Sequence, residues 1–95
     1  MEKVYENALA LEMRSVGLEV EQQSPVNVSY RGEIVGDHVA DLVVNGVVII
    51  EIKAVKALTK NHEAQLFNYL RATGLKVGLL LNFGSPRLEF RRLVL

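Results

Sequence analysis

The chain has 95 residues, 49% of them hydrophobic and 23% charged, with two prolines. That composition fits one ordered domain over residues 1–95, with a modest core and close to the size at which dimerisation helps. The absence of cysteine excludes disulfides, zinc–thiolate sites and thiol chemistry. The start, M-E-K-V-Y-E-N, has no basic region leading into an apolar run, and no apolar run is long enough to span a bilayer. A soluble, cytoplasmic protein is expected. Net charge is zero but unevenly spread: residues 1–52 hold nine acids and three bases, residues 53–95 eight bases and two acids. Such asymmetry is a weak pointer to a cation at the acidic side and an anionic partner at the basic side.

Val4, Tyr5, Ala8, Leu9, Met13 and Val16 recur at helical spacing, predicting a helix over Glu2 to Val16 with Gly17 as its stop. A helix starting at residue 2 has no room for a cap. Leu18 to Gln23 reads as a short strand or extended lead-in, broken at Ser24-Pro25. Val26, Val28 and Tyr30 then alternate with polar residues as in a half-exposed strand. A turn or bulge is expected over Gly32 to Gly36, and a strand from Val39 to Val44. Val47 to Ile52 is apolar on both faces, as a central strand requires. Thr59 suits the N-cap of a second helix, Lys60 to Thr73, with His62 at N3 and Gly74 as stop. Buried Val77 to Phe83, a turn over Asn82 to Pro86 and Leu88 to Leu95 supply two more strands. The order is α-β-β-β-α-β-β, an α/β fold with a mixed sheet carrying two helices.

The stretch D-L-V-V-N-G-V-V-I-I-E-I-K, Asp41 to Lys53, carries the chemistry. Two apolar strands flank an Asn-Gly turn, yet hold Asp41, Glu51 and Lys53, and unpaired buried charge is costly. Strand parity makes a sharp expectation. A two-residue Asn45-Gly46 loop would send Asp41 and Glu51 to opposite faces of the sheet. A shared site needs an odd-length loop or a bulge. Two carboxylates and the Ile52 carbonyl suit Mg²⁺, which takes hard oxygen ligands and retains waters. Lys53, two residues beyond Glu51, shares its face and could hold a water or stabilise phosphoryl charge. The bland alternative is a structural salt-bridge cluster. Gln65 and Tyr69, at i and i+4, share a helix face and could bond a phosphate, a base edge or the acids, or be ordinary helix surface. Helix phase puts Glu6 at the border of the first helix's buried face, or it is an ordinary solvated helix residue. No zinc-protease spacing, G-x-S-x-G or glycine-rich phosphate loop is present.

On V-Y-E-N-A-L-A-L-E-M-R-S-V-G-L (4–18), A-D-L-V-V (40–44), V-V-I-I-E-I-K-A-V (47–55) and the long run over 58–86, the chain resembles the small GxxExxR protein family, within the PD-(D/E)xK nuclease-like superfamily. The resemblance covers nearly the whole chain. It implies a small restriction-endonuclease-like core. Asp41 would be the metal-binding aspartate, Glu51 and Lys53 the E-x-K pair, and Glu6 the helix glutamate completing the metal set, with Glu2 its competitor one turn earlier. Gln65 and Tyr69 resemble the Q-x-x-x-Y element of exonuclease-like branches. Family members usually begin with a further helix and a glycine before Glu2, which this sequence lacks. The implied function is Mg²⁺-dependent (or Mn²⁺-dependent) phosphodiester hydrolysis of DNA, or of RNA. Gln65 would join Asp41, Glu51 and Lys53 in catalysis, and Tyr69, Lys56, Lys60, Arg87, Arg91 and Arg92 would meet the nucleic acid. Two alternatives stand: a catalytically silent nucleic-acid-binding or accessory module, and a homodimeric scaffold using the last strand as an open edge.

Overall fold

The structure, a computed structural model, describes residues 1–95. Its elements are α1 (Glu2–Ser15), β1 (Val20–Tyr30), β2 (Glu33–Val44), β3 (Val48–Lys53), α2 (Lys60–Thr73), β4 (Val77–Asn82) and β5 (Glu89–Val94), in the expected order. The five strands form one sheet in sequence order, antiparallel except for β3 and β4. That parallel pair needs a crossover, and α2 supplies it. No helix is long and apolar enough to cross a membrane.

Each face of the sheet has its own core, as a central strand apolar on both sides demands. On one side Ala10 of α1 packs with Leu42, Val44, Ile50 and Ile52, and Tyr5 stacks on Phe83 with ring centroids 4.7 Å apart. On the other, Leu66, Tyr69 and Leu70 of α2 pack with Val26, Ala40, Ile49, Leu80 and Leu93. Gly78 lets α2 approach, since a Cβ there would lie 2.8 Å from Leu66 Cδ2. Burying such a leucine fully is worth about 1.5–3 kcal/mol.

Helix ends follow the sequence. α1 starts without a side-chain cap, and Gly17, at φ 91°, turns the chain so that Leu18 N–H donates to Met13 O. Thr59 caps α2: its hydroxyl accepts from His62 N–H, and His62 Nδ1 accepts from Thr59 N–H.

One expectation about β1 fails. Ser24-Pro25 does not break the strand, which continues to Tyr30. Proline is tolerated because β1 is an edge of the sheet. The irregularity falls one residue earlier, at Gln23, where φ is 54° and the β1–β2 ladder skips the Gln23–Asp41 position. The alternation flips there on both strands. Val20 and Leu42 belong to the α1 side, Val26 and Ala40 to the α2 side. Farther along, Arg31 and Gly32, both at positive φ, turn the β1–β2 hairpin, and a register shift follows at Val28/Ser29. The expected turn or bulge over Gly32 to Gly36 is thus a tight turn and a bulge together.

Candidate active site

The β2–β3 register pairs Val44 with Val48, Val43 with Ile49 and Leu42 with Ile50. The loop therefore has three residues, Asn45–Val47, as a shared acidic site requires. Asn45 and Gly46 sit at φ 52° and 67°, Val47 N–H donates to Val44 O, and Val47 is the extra residue. Asn45 is also pinned from outside: its N–H donates to Glu19 O and its Oδ1 accepts from Glu19 N–H. One more step of this register sets Asp41 opposite Glu51. There the backbone ladder stops, and the side chains take over. Ile52 N–H donates to Asp41 Oδ2 at 2.8 Å, and Asp41 N–H donates to Glu51 Oε1 at 3.3 Å. Two strands are thereby held open by two carboxyl groups, each satisfying a backbone donor of the other strand.

Glu51 is 5% exposed. Burial, and then the neighbouring Asp41 charge, push its carboxyl up to about 8. Lys53, half-buried on the same strand, opposes this shift, and no carboxylate lies within ion-pair distance of its Nζ. The acids also act on Tyr69, whose hydroxyl is raised by burial first and then by Glu51 and Asp41. Asp41, Glu51, Lys53 and Tyr69 therefore form one electrostatic neighbourhood on the α2 side of the sheet.

The chain leaving Lys53 is fixed by residues that sequence reasoning missed. Asn82, fully buried, accepts from Val55 and Gly84 N–H and donates to Val55 O and Glu89 Oε1. Glu89 also accepts from Leu58 N–H, and these bonds hold its carboxyl below the usual range. A Cβ at Gly84 would collide with the Val55 backbone, so that glycine is required for space. The only sequence signal was an asparagine ending an apolar strand, and that reads equally as a turn.

Gln65 is exposed and makes no hydrogen bond within the chain. With Tyr69 it lines a groove of about 900 Å³ between α2 and the β1–β2 hairpin, and His38 of β2 lies there with its ring centroid 5.7 Å from that of Tyr69. Glu6 lies on the α1 side, 3% exposed, accepting from Gln22 Nε2, Gln23 Nε2 and Lys3 Nζ. Glu2 accepts from Ala54 N–H, directly after Lys53. No three carboxylate or imidazole groups converge at metal-binding distances, so neither helix glutamate joins Asp41 and Glu51 in a three-ligand cluster.

The expected basic contacts are dispersed. Lys56 and Arg87 are exposed in the loops after β3 and β4, which Asn82 and Gly84 bring together. Lys60 pairs with Glu63 at 3.8 Å and Arg91 with Glu89 at 3.3 Å. Arg91 stands beside Leu80 and Arg92 beside Leu79, hence on opposite faces of the sheet.

A family model of the PD-(D/E)XK nuclease superfamily matches residues 1–93. No curated protein matches the sequence. Among solved structures, the crystal structure of SSO0001 superposes with a TM-score of 0.67 at 19% identity, covering 97% of this chain and 48% of that one. An alkaline exonuclease, LHK-Exo from Laribacter hongkongensis, gives 0.65 at 14% identity, covering 97% and 55%. This chain spans about half the length of those neighbours, and at such identities they establish the fold alone.

Proposed function

This chain belongs to the PD-(D/E)XK nuclease superfamily, and on that footing we propose that it is a divalent-cation-dependent phosphodiesterase acting on DNA, with its site at the opening between β2 and β3. The observation that carries the reading is the Asp41–Glu51 pair. Two carboxyl groups are forced together, one of them buried, and no cationic side chain forms an ion pair with either. Such a pair fits Mg²⁺ or Mn²⁺: two hard carboxylates and the Ile52 carbonyl leave the remaining positions to water and phosphate.

A bound cation would supply Lewis-acid polarisation of a phosphoryl oxygen and an acidified water. The chain's own residues do the rest. Asp41 and Glu51 would hold the cation, and their bonds to the backbone N–H groups of Asp41 and Ile52 orient the two carboxyl groups. Lys53 Nζ, free of any carboxylate partner, stabilises charge gathering on the phosphoryl oxygens or orients the attacking water. Gln65 and Tyr69 hold the strand from the α2 side. Lys56, Lys60, Arg87 and Arg91 meet backbone phosphates, and Glu6 holds Gln22 and Gln23 on the α1 side. Residues 1–95 work as one domain.

The test is cleavage of end-labelled single- and double-stranded DNA and RNA with Mg²⁺, Mn²⁺ or chelator. Wild type should cut only with the cation, and Asp41→Asn and Lys53→Met should each lose about 10²-fold or more. Unchanged cleavage by Asp41→Asn would sink the mechanism. With only two acidic side chains at the opening and no third carboxylate or imidazole beside them, one competing reading is a silent nucleic-acid-binding module. That reading predicts binding that survives chelator and Glu51→Ala, with no cleavage in any cation.

A further inference from the structure

The groove between α2 and the β1–β2 hairpin has no part in the chemistry above beyond Gln65 and Tyr69, yet it has a consistent character. One face of α2 runs its whole length: Asn61, Gln65 and Asn68 present amides, with Ala64 among them and Ala72 beyond leaving open space. The opposite wall mixes polar Asn27, Ser29 and His38 with apolar Val28 and Val35. No carboxylate lines it, although the chain has as many acids as bases. Its one full charge is Arg71, whose guanidinium donates to Asn68 Oδ1 and lies 5.8 Å from the Phe67 ring centroid. At about 900 Å³ it falls within the range of built ligand sites, roughly 300–1,000 Å³.

Amides offer a donor and an acceptor side by side, which matches the hydrogen-bonding edge of a nucleobase. The His38 ring, exposed and backed by buried Tyr69, offers a face on which a base can stack. In a duplex those edges and faces are hidden by pairing and stacking, and only an unpaired strand displays them. Tyr69 packs in the sheet core beside Ala40, next to Asp41 in sequence, and Ile49, on the same strand and side as Glu51, so the groove lies on the same face of the sheet as the two carboxylates.

We propose that this groove binds unpaired nucleotides of the substrate strand, so that the protein acts on single-stranded segments or frayed ends rather than intact duplex. The inference rests on the nuclease reading for the word substrate, but the binding itself does not. Its test is fluorescence anisotropy of labelled oligodeoxythymidine and of a duplex of equal length, with the full chain in chelator, where no cleavage occurs. Wild type should prefer the single strand by about tenfold or more, as one or two stacked bases would give. Ala64→Leu, which fills the groove, and Arg71→Gln, which removes its charge without adding volume, should each abolish the preference. Unchanged circular dichroism and melting would certify their folds, and Asp41→Asn should keep the preference. Equal affinity of wild type for both forms, or a preference untouched by both groove variants, would overturn the proposal. Wild type that binds single strands but cuts nothing would instead fail the nuclease reading alone, and cleavage of duplex and single strand at equal rates, unaltered by Ala64→Leu, would fail the groove alone.

Discussion

Glu51 is the residue on which the account leans most, and its environment makes a signed prediction. In the folded chain its carboxyl titrates near 8 against 4.5 when free, so between those values the folded state holds a proton that the unfolded state has released. Stability from this group is present at low pH and declines as pH rises from about 4.5 to 8. Glu51→Gln keeps the acceptor for Asp41 N–H but removes the charge. Its melting temperature should exceed that of wild type by a margin that grows from about pH 5 to about pH 9. Added Mg²⁺ at the alkaline end should raise the wild-type value and leave the variant unmoved. Identical pH profiles for the two proteins would show that Glu51 is not held against its charge. Asn82 is the second residue of this kind. Asn82→Ala would orphan donors and acceptors of Val55, Gly84 and Glu89 at once, for an expected loss of about 3 kcal/mol in urea unfolding. A loss within the scatter of surface substitutions would show that the loop after Lys53 does not depend on it.

At the level of elements, parity did the most. Asp41 and Glu51 share a site only if the β2–β3 loop has an odd number of residues, and it does, because Val47 is inserted after the Asn45-Gly46 turn. Gly46 at φ 67° is part of that device. Gly46→Val should cost about 1–3 kcal/mol by forcing a β-branched residue into the left-handed region, read as a lowered urea midpoint. A neutral substitution would mean that the loop relaxes into another turn. Both helices and the order of the five strands were legible from periodicity, the Thr59 cap and glycine stops, since these are local signals, whereas β1 was expected to break at Ser24-Pro25 and β2 to begin at Val39 rather than Glu33. The flip of faces at Gln23 and Asp41 was not. It depends on two strands agreeing to skip one pairing, and Pro25 drew attention to the wrong residue. The placement of Glu6 was half legible: helix phase put it at the border between buried and solvated faces, while its partners, Gln22 and Gln23, come from a strand whose irregularity carries no local mark.

The whole molecule is a mixed sheet with a helix on each face, and the site lies where the central β3 parts from β2. The charge asymmetry of the sequence did not become a single basic surface. Lys60 and Arg91 carry acidic partners, and Arg91 and Arg92 face opposite ways. Binding to nucleic acid should therefore depend only shallowly on salt, with few phosphates neutralised. A log–log plot of affinity against salt with a slope steeper than about −4 would contradict this. On the proposed function, recognition would fall to the amides and rings of the groove more than to long-range attraction.

The central claim is that the parted strands make a cation site from Asp41 and Glu51. Mn²⁺ titration followed by electron paramagnetic resonance tests it directly, because free and bound ions are counted without any assumption about substrate. Wild type should bind one ion per chain, more tightly as pH rises toward 8 and Glu51 ionises, and Asp41→Asn and Glu51→Gln should bind none. Equal binding in wild type and both variants, or no binding in wild type at alkaline pH, would contradict it.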